Sequence, residues 1–274
     1  MAIPLNYVTP GTGRDLSLHK TGEEGFRKAV EDFTASLSSY DRRYLQLEEK
    51  VVIVGDTQVG KSCLLQRFTK NSFTDNSALP TIGLDFVKQL YTYAGLSFTL
   101  SIWDTAGQER HQSACTNVYR GALACIGAFD LGMPMTLAHV KQWVAKVRKE
   151  NEKTHINEFC IFLVGCKEDM YHTVSDTQAQ NVAAELKAEY FEVSAKSGLN
   201  VKALFDRVAC VLFERALVRQ MDEWKKVNEQ KKENNVKLTS EEDVGDEFLL
   251  GGKGIQNWKD VKKPPRRWRC CWMG

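Results

Sequence analysis

Lys50-Val-Val-Ile-Val-Gly-Asp-Thr-Gln-Val-Gly-Lys-Ser-Cys-Leu-Leu65 is the stretch that decides how the rest of the chain is read. The apolar run Val51 to Val54 predicts a buried strand that stops at Gly55, and a helix opens near Lys61. Between them, Gly55 to Ser62 reads GDTQVGKS and fits G-x-x-x-x-G-K-[ST]. Such a loop turns consecutive backbone N–H groups inward and runs into a helix N-terminus, and both features favour phosphate anions. In that geometry Lys61 reaches the β- and γ-phosphates and the Ser62 hydroxyl holds Mg²⁺.

Downstream, helix Ser62 to Thr69 leads into a polar loop from Asn71 to Gly83. Two strand-like runs follow, Leu84 to Tyr93 and Leu96 to Trp103, with a turn at Ala94-Gly95. The second run ends in Trp103-Asp104-Thr-Ala-Gly107-Gln108-Glu-Arg110. An acidic residue leaving an apolar strand beside a phosphate loop is placed to bind Mg²⁺ through water. Gly107 lets backbone approach a γ-phosphate, and Gln108 is placed to orient water.

Further strands are expected at Ala122 to Phe129, Cys160 to Gly165 and Tyr190 to Val193. Helices are expected at Thr136 to Lys149, Asp176 to Ala188 and Asn200 to about Trp224, the last running on to near Lys232. Strand and helix alternate, with Leu84 to Tyr93 the antiparallel member. The fold class is therefore α/β, a doubly wound, mostly parallel sheet with helices on both faces. In such a sheet the ligand lies beyond the carboxyl ends of the strands, where every candidate site residue falls.

The chain has 274 residues, enough for one domain of this kind with extensions at each end. A net charge of +2 gives no global pull toward nucleic acid. No apolar run approaches the length of a membrane span. The N-terminus lacks a secretion-signal layout, and Ala at position 2 excludes N-myristoylation. Eight cysteines in this setting read as reduced thiols, most of them small core residues. Residues 1–48 form an N-terminal extension with a disordered start, 49–218 the domain, and 219–274 a charged tail. Within the extension, Phe26, Val30, Phe33, Leu37, Tyr40 and Tyr44 share one face of a helix over 22–47. That face either docks on the domain or binds a partner.

With Cys166-Lys-Glu-Asp169 and Ser194-Ala-Lys196 added, five motifs stand in order, and over roughly residues 50–215 the chain resembles the Ras superfamily of small GTPases. Ile82-Gly-Leu-Asp-Phe86, WDTAGQER and Tyr119-Arg-Gly-Ala122 are similar to signatures of its Rab family. The resemblance implies a GTP/GDP switch that hydrolyses GTP slowly and recruits effectors in its GTP state during vesicle traffic. It implies that the loop Gly55, Asp56, Thr57, Gln58, Val59, Gly60 with Lys61, Ser62 and Cys63 binds the phosphates. Ser62, Thr81 and Asp104 would serve Mg²⁺, Thr81 and Gly107 would sense the γ-phosphate, and Gln108 would position water. Phe73 would stack on guanine, Asp169 would accept from its N1–H and N2–H₂ edge, Lys167 would line base and sugar, and the amide of Ala195, between Ser194 and Lys196, would meet O6. A carboxylate facing two donors reads guanine because adenine would leave it unpaired. Expected partners are effectors, an exchange factor, an activating protein and the dissociation-inhibitor and escort proteins.

Departures from the pattern matter too. The base-reading motif begins with Cys166 where the superfamily usually has Asn, and a thiol is a weak hydrogen-bond partner. Gln58 takes a place more often held by a small residue, His111 stands where Rabs usually have Phe, and the loop Phe73 to Thr81 is one residue longer than usual. The non-Asn motif and the stretch Leu186 to Ser194 resemble a Rab subgroup with a long N-terminal extension, associated with Golgi and lysosome positioning and with cilium formation.

The tail holds an apolar island, Phe248-Leu-Leu250, which is either an escort-protein motif or a linker. From Lys259 to Gly274 six basic residues against Asp260 give a net +5, a charge suited to anionic lipid. Cys270-Cys271 looks like a double geranylgeranyl site, and two chains meet the two-signal requirement for stable anchoring. The expected location is the cytoplasmic face of Golgi or endolysosomal membranes, with a cytosolic pool. A second reading is a Rab-like scaffold with weakened guanine binding and negligible hydrolysis, which Cys166 and Gln58 favour and Lys61, Thr81, Asp104 and Gln108 oppose. A P-loop kinase or ATPase is weakened by DTAGQ, Asp169 and the cysteine pair.

Overall fold

Strand β2 (Leu47–Val54) is central, and its last four residues are buried on both faces. Their alternation decides the layering. Val51 and Ile53 point into one core with Leu64, Phe68, Phe205 and Phe213. Val52 and Val54 point into another with Val140, Val144, Val182 and Leu186. Helices must therefore cover both faces. The computed structural model describes residues 14–15, 24–37, 47–74, 84–93, 96–105, 118–152 and 159–241.

In chain order the elements are β1 (Arg14–Asp15), α1 (Glu24–Ser36), β2, α2 (Lys61–Lys70), β3 (Leu84–Tyr93), β4 (Leu96–Thr105), β5 (Ala124–Asp130), α3 (Pro134–Glu152), β6 (Cys160–Cys166), α4 (Asp176–Leu186), β7 (Glu189–Glu192) and α5 (Val201–Glu241). The sheet order is β1-β3-β4-β2-β5-β6-β7. β3 and β4 are antiparallel, with Phe86 opposite Trp103, and the other pairings are parallel. This is the α/β sheet expected from the sequence, with the Leu84–Tyr93 strand as its antiparallel member.

Local chemistry sets the element ends. Pro134 opens α3, where its fixed φ suits the first helical position. Ser175 caps α4 in a reciprocal box: its hydroxyl accepts from the Gln178 N–H, and the Gln178 side chain accepts from the Ser175 N–H. Parallel strands place the ends of β2, β5 and β6 together, because Ile53 pairs with Asp104 of β4, Val54 with Gly127, and Asp130 with Cys166. Helix α1 buries Phe33 and Thr34, and Leu37 is buried just past its end. Phe33 meets Trp224 edge-on at 5.9 Å, so this part of the apolar stripe packs on the chain's own helix α5. Tyr40 and Tyr44 lie outside the described residues, as do residues 1–13. Met1–Lys225 and Lys226–Gly274 form separate units, and the second is described only over the end of α5.

Candidate functional site

The loop Gly55–Gly60 joins β2 to α2. Gly55 adopts φ 146°, and a Cβ there would lie 2.1 Å from the Ala128 carbonyl oxygen, so no other residue fits. Gly60, at φ 111°, begins α2 with no side-chain cap, which leaves the first-turn amides facing the loop. Gln58 holds φ 65° with its side chain exposed, a left-handed position that strains a residue other than glycine by about 1–2 kcal/mol. Lys61 is buried, and its ammonium donates to the carbonyls of Gly55 (2.9 Å) and Asp56 (2.6 Å) inside the loop. Burial lowers its pKa, opposed by Asp104, Cys166 and Asp56.

At the end of β4, Asp104 is fully buried, and its Oδ2 accepts from the Ser62 hydroxyl at 2.5 Å. A hydroxyl and a carboxylate converging beside a phosphate loop are hard oxygen donors of the kind Mg²⁺ takes, so the residues fit that ion.

The base-reading motif begins at the end of β6. A Cβ on Gly60 would lie 3.6 Å from Cys166 Cβ and 3.9 Å from its Sγ, so the thiol lies against the phosphate loop. Burial, with Asp130 nearby, pushes that thiol up to about 12, and it stays neutral. Lys167, at φ 63°, pairs with Asp130 at 2.7 Å. Asp169 Oδ1 accepts from the Ser194 hydroxyl at 2.6 Å, and Ser194 Oγ in turn accepts from the Ser197 N–H at 3.0 Å. Lys196 stands 3.9 Å from Asp169 Oδ2. Ala195 and Lys196 lie in the turn between Ser194 and Ser197, and Phe73 is half-buried beyond α2. Thr57 is an exposed loop residue, Val59 is buried beneath the loop and Cys63 is half-buried in the first turn of α2.

Residues 50–213 match the model of the Ras family. Over 226 residues the chain is 38% identical to the human Ras-related protein Rab-36, covering 81% of this chain and 78% of that one. It is 41% identical to rat Ras-related protein Rab-34 over 63% of this chain and 67% of that protein. It is 38% identical to Ras-related protein SEC4 of Candida albicans over 61% and 78%. The chain belongs to the Rab branch of the Ras family of small GTPases. It is an enzyme that hydrolyses GTP, and its place is in vesicle traffic. The subgroup resemblance agrees with Rab-36 and Rab-34. The scaffold reading is not favoured, since the relatives are GTPases.

In this Rab the structure brings together the phosphate loop, the Ser62–Asp104 pair and the Cys166–Asp169 and Ser194–Lys196 turns. Thr81, Gly107 and Gln108 lie outside the described residues, as do His111, Phe248 to Leu250, Cys270 and Cys271. Asp130, His139, Trp143 and Arg67 join the site but did not emerge from the sequence. Asp56 sits in the loop, but its carboxylate is turned to α3, with His139 Nδ1 at 2.7 Å and the Trp143 indole N–H donating at 2.8 Å. Asp130 ends an apolar strand just as Asp104 does, and the same rule could have found it. Arg67 of α2 donates to three loop carbonyls, and its spacing within the helix carries no sign of this.

Proposed function

We propose that this Rab binds GDP and GTP with Mg²⁺ between its phosphate loop and the Asp169 turn, and hydrolyses GTP there. Amides of Gln58 to Cys63 and the Lys61 ammonium would hold phosphates, the ammonium exchanging its carbonyl partners for phosphate oxygens. Mg²⁺, held by Ser62 and Thr81 with Asp104 behind, would supply charge neutralisation for phosphoryl transfer. Gln108 orients the attacking water, and Thr81 with Gly107 reports the γ-phosphate to effectors. Phe73 stacks on the base, Lys167 lines base and sugar, and the Ala195 amide meets O6. Asp169, positioned by Ser194, reads the guanine edge. The observation that carries the reading is the packing of Cys166 on Gly60, which sets the base-reading motif directly against the phosphate loop.

The test is competition of GDP and ADP against a fluorescent guanine nucleotide, for wild type and Asp169→Asn. Wild type should prefer GDP strongly. Asp169→Asn should lose much of that preference, because an amide offers one acceptor and one donor where guanine presents two donors. An unchanged preference would remove Asp169 from base recognition. The finer setting follows the same reading: geranylgeranyl groups on Cys270 and Cys271 hold the protein at the cytoplasmic face of Golgi or endolysosomal membranes. Exchange, activating and escort proteins act on it there and in the cytosol.

A further inference from the structure

Arg67 lies in α2, the helix that starts at the phosphate loop. Its Nε donates to the Ala195 carbonyl at 2.6 Å and its Nη2 to the Lys196 carbonyl at 2.6 Å, while Nη1 donates to Asn71 at 3.0 Å. The guanidinium therefore joins three segments. They are the helix of the phosphate loop, the turn proposed to meet guanine O6, and the C-cap of α2 that leads to Phe73. The loop also wraps the Arg67 stem, because a Cβ on Gly198 would lie 3.9 Å from Arg67 Cδ. Donors to two consecutive carbonyls fix the peptide planes on both sides of Lys196. The Ala195 N–H belongs to the preceding plane, whose Ser194 carbonyl accepts from the Gly198 N–H at 2.8 Å, so Arg67 holds that amide from the next plane, across the Ala195 Cα. A lysine ammonium lacks the planar fork needed to serve three carbonyls in these directions.

The geometry points to Arg67 as the residue that positions the O6-reading turn for guanine, a polar tie that stands in for the one Cys166 does not make. The inference rests on the proposed guanine site. Cys166 lies against the phosphate loop through its Cβ and a neutral, buried thiol, so the first residue of the base-reading motif contributes packing and little hydrogen bonding. Arg67 reaches the second base-reading turn from the same helix by charge-assisted hydrogen bonds. The two base-reading turns are in turn linked by Ser194 to Asp169. Arg67 touches no nucleotide atom in this scheme and acts through the backbone of Ala195.

The full-length protein is assayed by displacement of a fluorescent GDP with GDP, 6-thio-GDP and IDP. Sulfur in place of O6 weakens the acceptor facing Ala195, whereas IDP lacks the amine facing Asp169. With Arg67→Lys, GDP release should quicken about tenfold, as expected for one or two lost hydrogen bonds. The preference for GDP over 6-thio-GDP should fall at least fivefold, and the preference for GDP over IDP should stay within about twofold. In a Cys166→Asn background the quickening should shrink to about threefold, because the restored amide shares the task. Wild-type GDP release from Arg67→Lys would overturn the proposal, as would equal loss of both preferences, which would mark general loosening. If Arg67→Lys fails to fold, Arg67→Gln is measured in its place; failure of both variants to fold makes Arg67 structural and also overturns it. A wild-type protein that binds no GDP would instead overturn the guanine reading beneath it.

Discussion

Cys166 occupies a confined place, with its Sγ against the phosphate loop and its thiol neutral. An amide there can donate toward the loop and accept from it, which a thiol does poorly. Cys166→Asn should add about 1–3 kcal/mol to GDP binding and slow GDP release roughly tenfold or more. Association should change less, since affinity differences between close variants lie mostly in the off-rate. Stopped-flow dissociation of GDP checks this, and equal rates would mean that neighbours already compensate. The candidate residues at strand ends were legible because an apolar run followed by Gly55, Asp104 or Cys166 announces where a parallel sheet opens to its ligand. Arg67, His139 and Trp143 were not. Their partners lie far along the chain, Arg67 and Ala195 being 128 residues apart, and an exposed-looking base or a helix aromatic reads first as solvated or as core.

Glu49 of strand β2 forms an ion pair with Arg219 of helix α5. Glu49 is mostly buried, and burial outweighs the Arg219 guanidinium, pushing the carboxyl up to about 7 from 4.5. Between those two values the folded protein keeps a proton that the unfolded chain has released. The stabilising contribution is therefore complete below about pH 4.5 and is lost as pH rises through about 7. Glu49→Gln keeps the neutral form at every pH. It should flatten the fall in stability over this range, where the wild-type group contributes a slope of up to about 1.4 kcal/mol per pH unit. Urea midpoints from pH 5 to pH 8 for both proteins measure it, and parallel curves would mean that Glu49 titrates normally. Elements themselves were largely readable. Leu84–Tyr93 keeps its expected bounds. β5 begins two residues late, at Ala124: the Ala122 amide bonds Tyr119 in the preceding turn, and the Leu123 amide bonds Lys50 of β2. Helix α5 outruns its expected end and reaches Glu241, since no Gly or Pro interrupts the Lys-, Glu- and Gln-rich stretch before Gly245.

No helix among the described residues is long and apolar enough to cross a membrane. The proposed anchor is the lipid on Cys270 and Cys271. Cys270→Ser with Cys271→Ser should move the protein from the membrane pellet to the supernatant of cell fractions, with GDP affinity unchanged. A double mutant that still pellets would place the anchor elsewhere. The anchor proposed for the tail rests on composition and a terminal motif alone. In this GTP-hydrolysing Rab the attacking water is proposed to be placed by Gln108, four residues after Asp104. Single-turnover hydrolysis of bound GTP, wild type against Gln108→Leu, tests it most directly. Wild type should convert GTP at a rate on the order of 10⁻⁴ s⁻¹, as Ras-type enzymes do unaided, and Gln108→Leu should bind GTP as well but turn it over at least several-fold more slowly. Equal rates in the two proteins, or a wild type that holds GTP without converting it, would contradict the account.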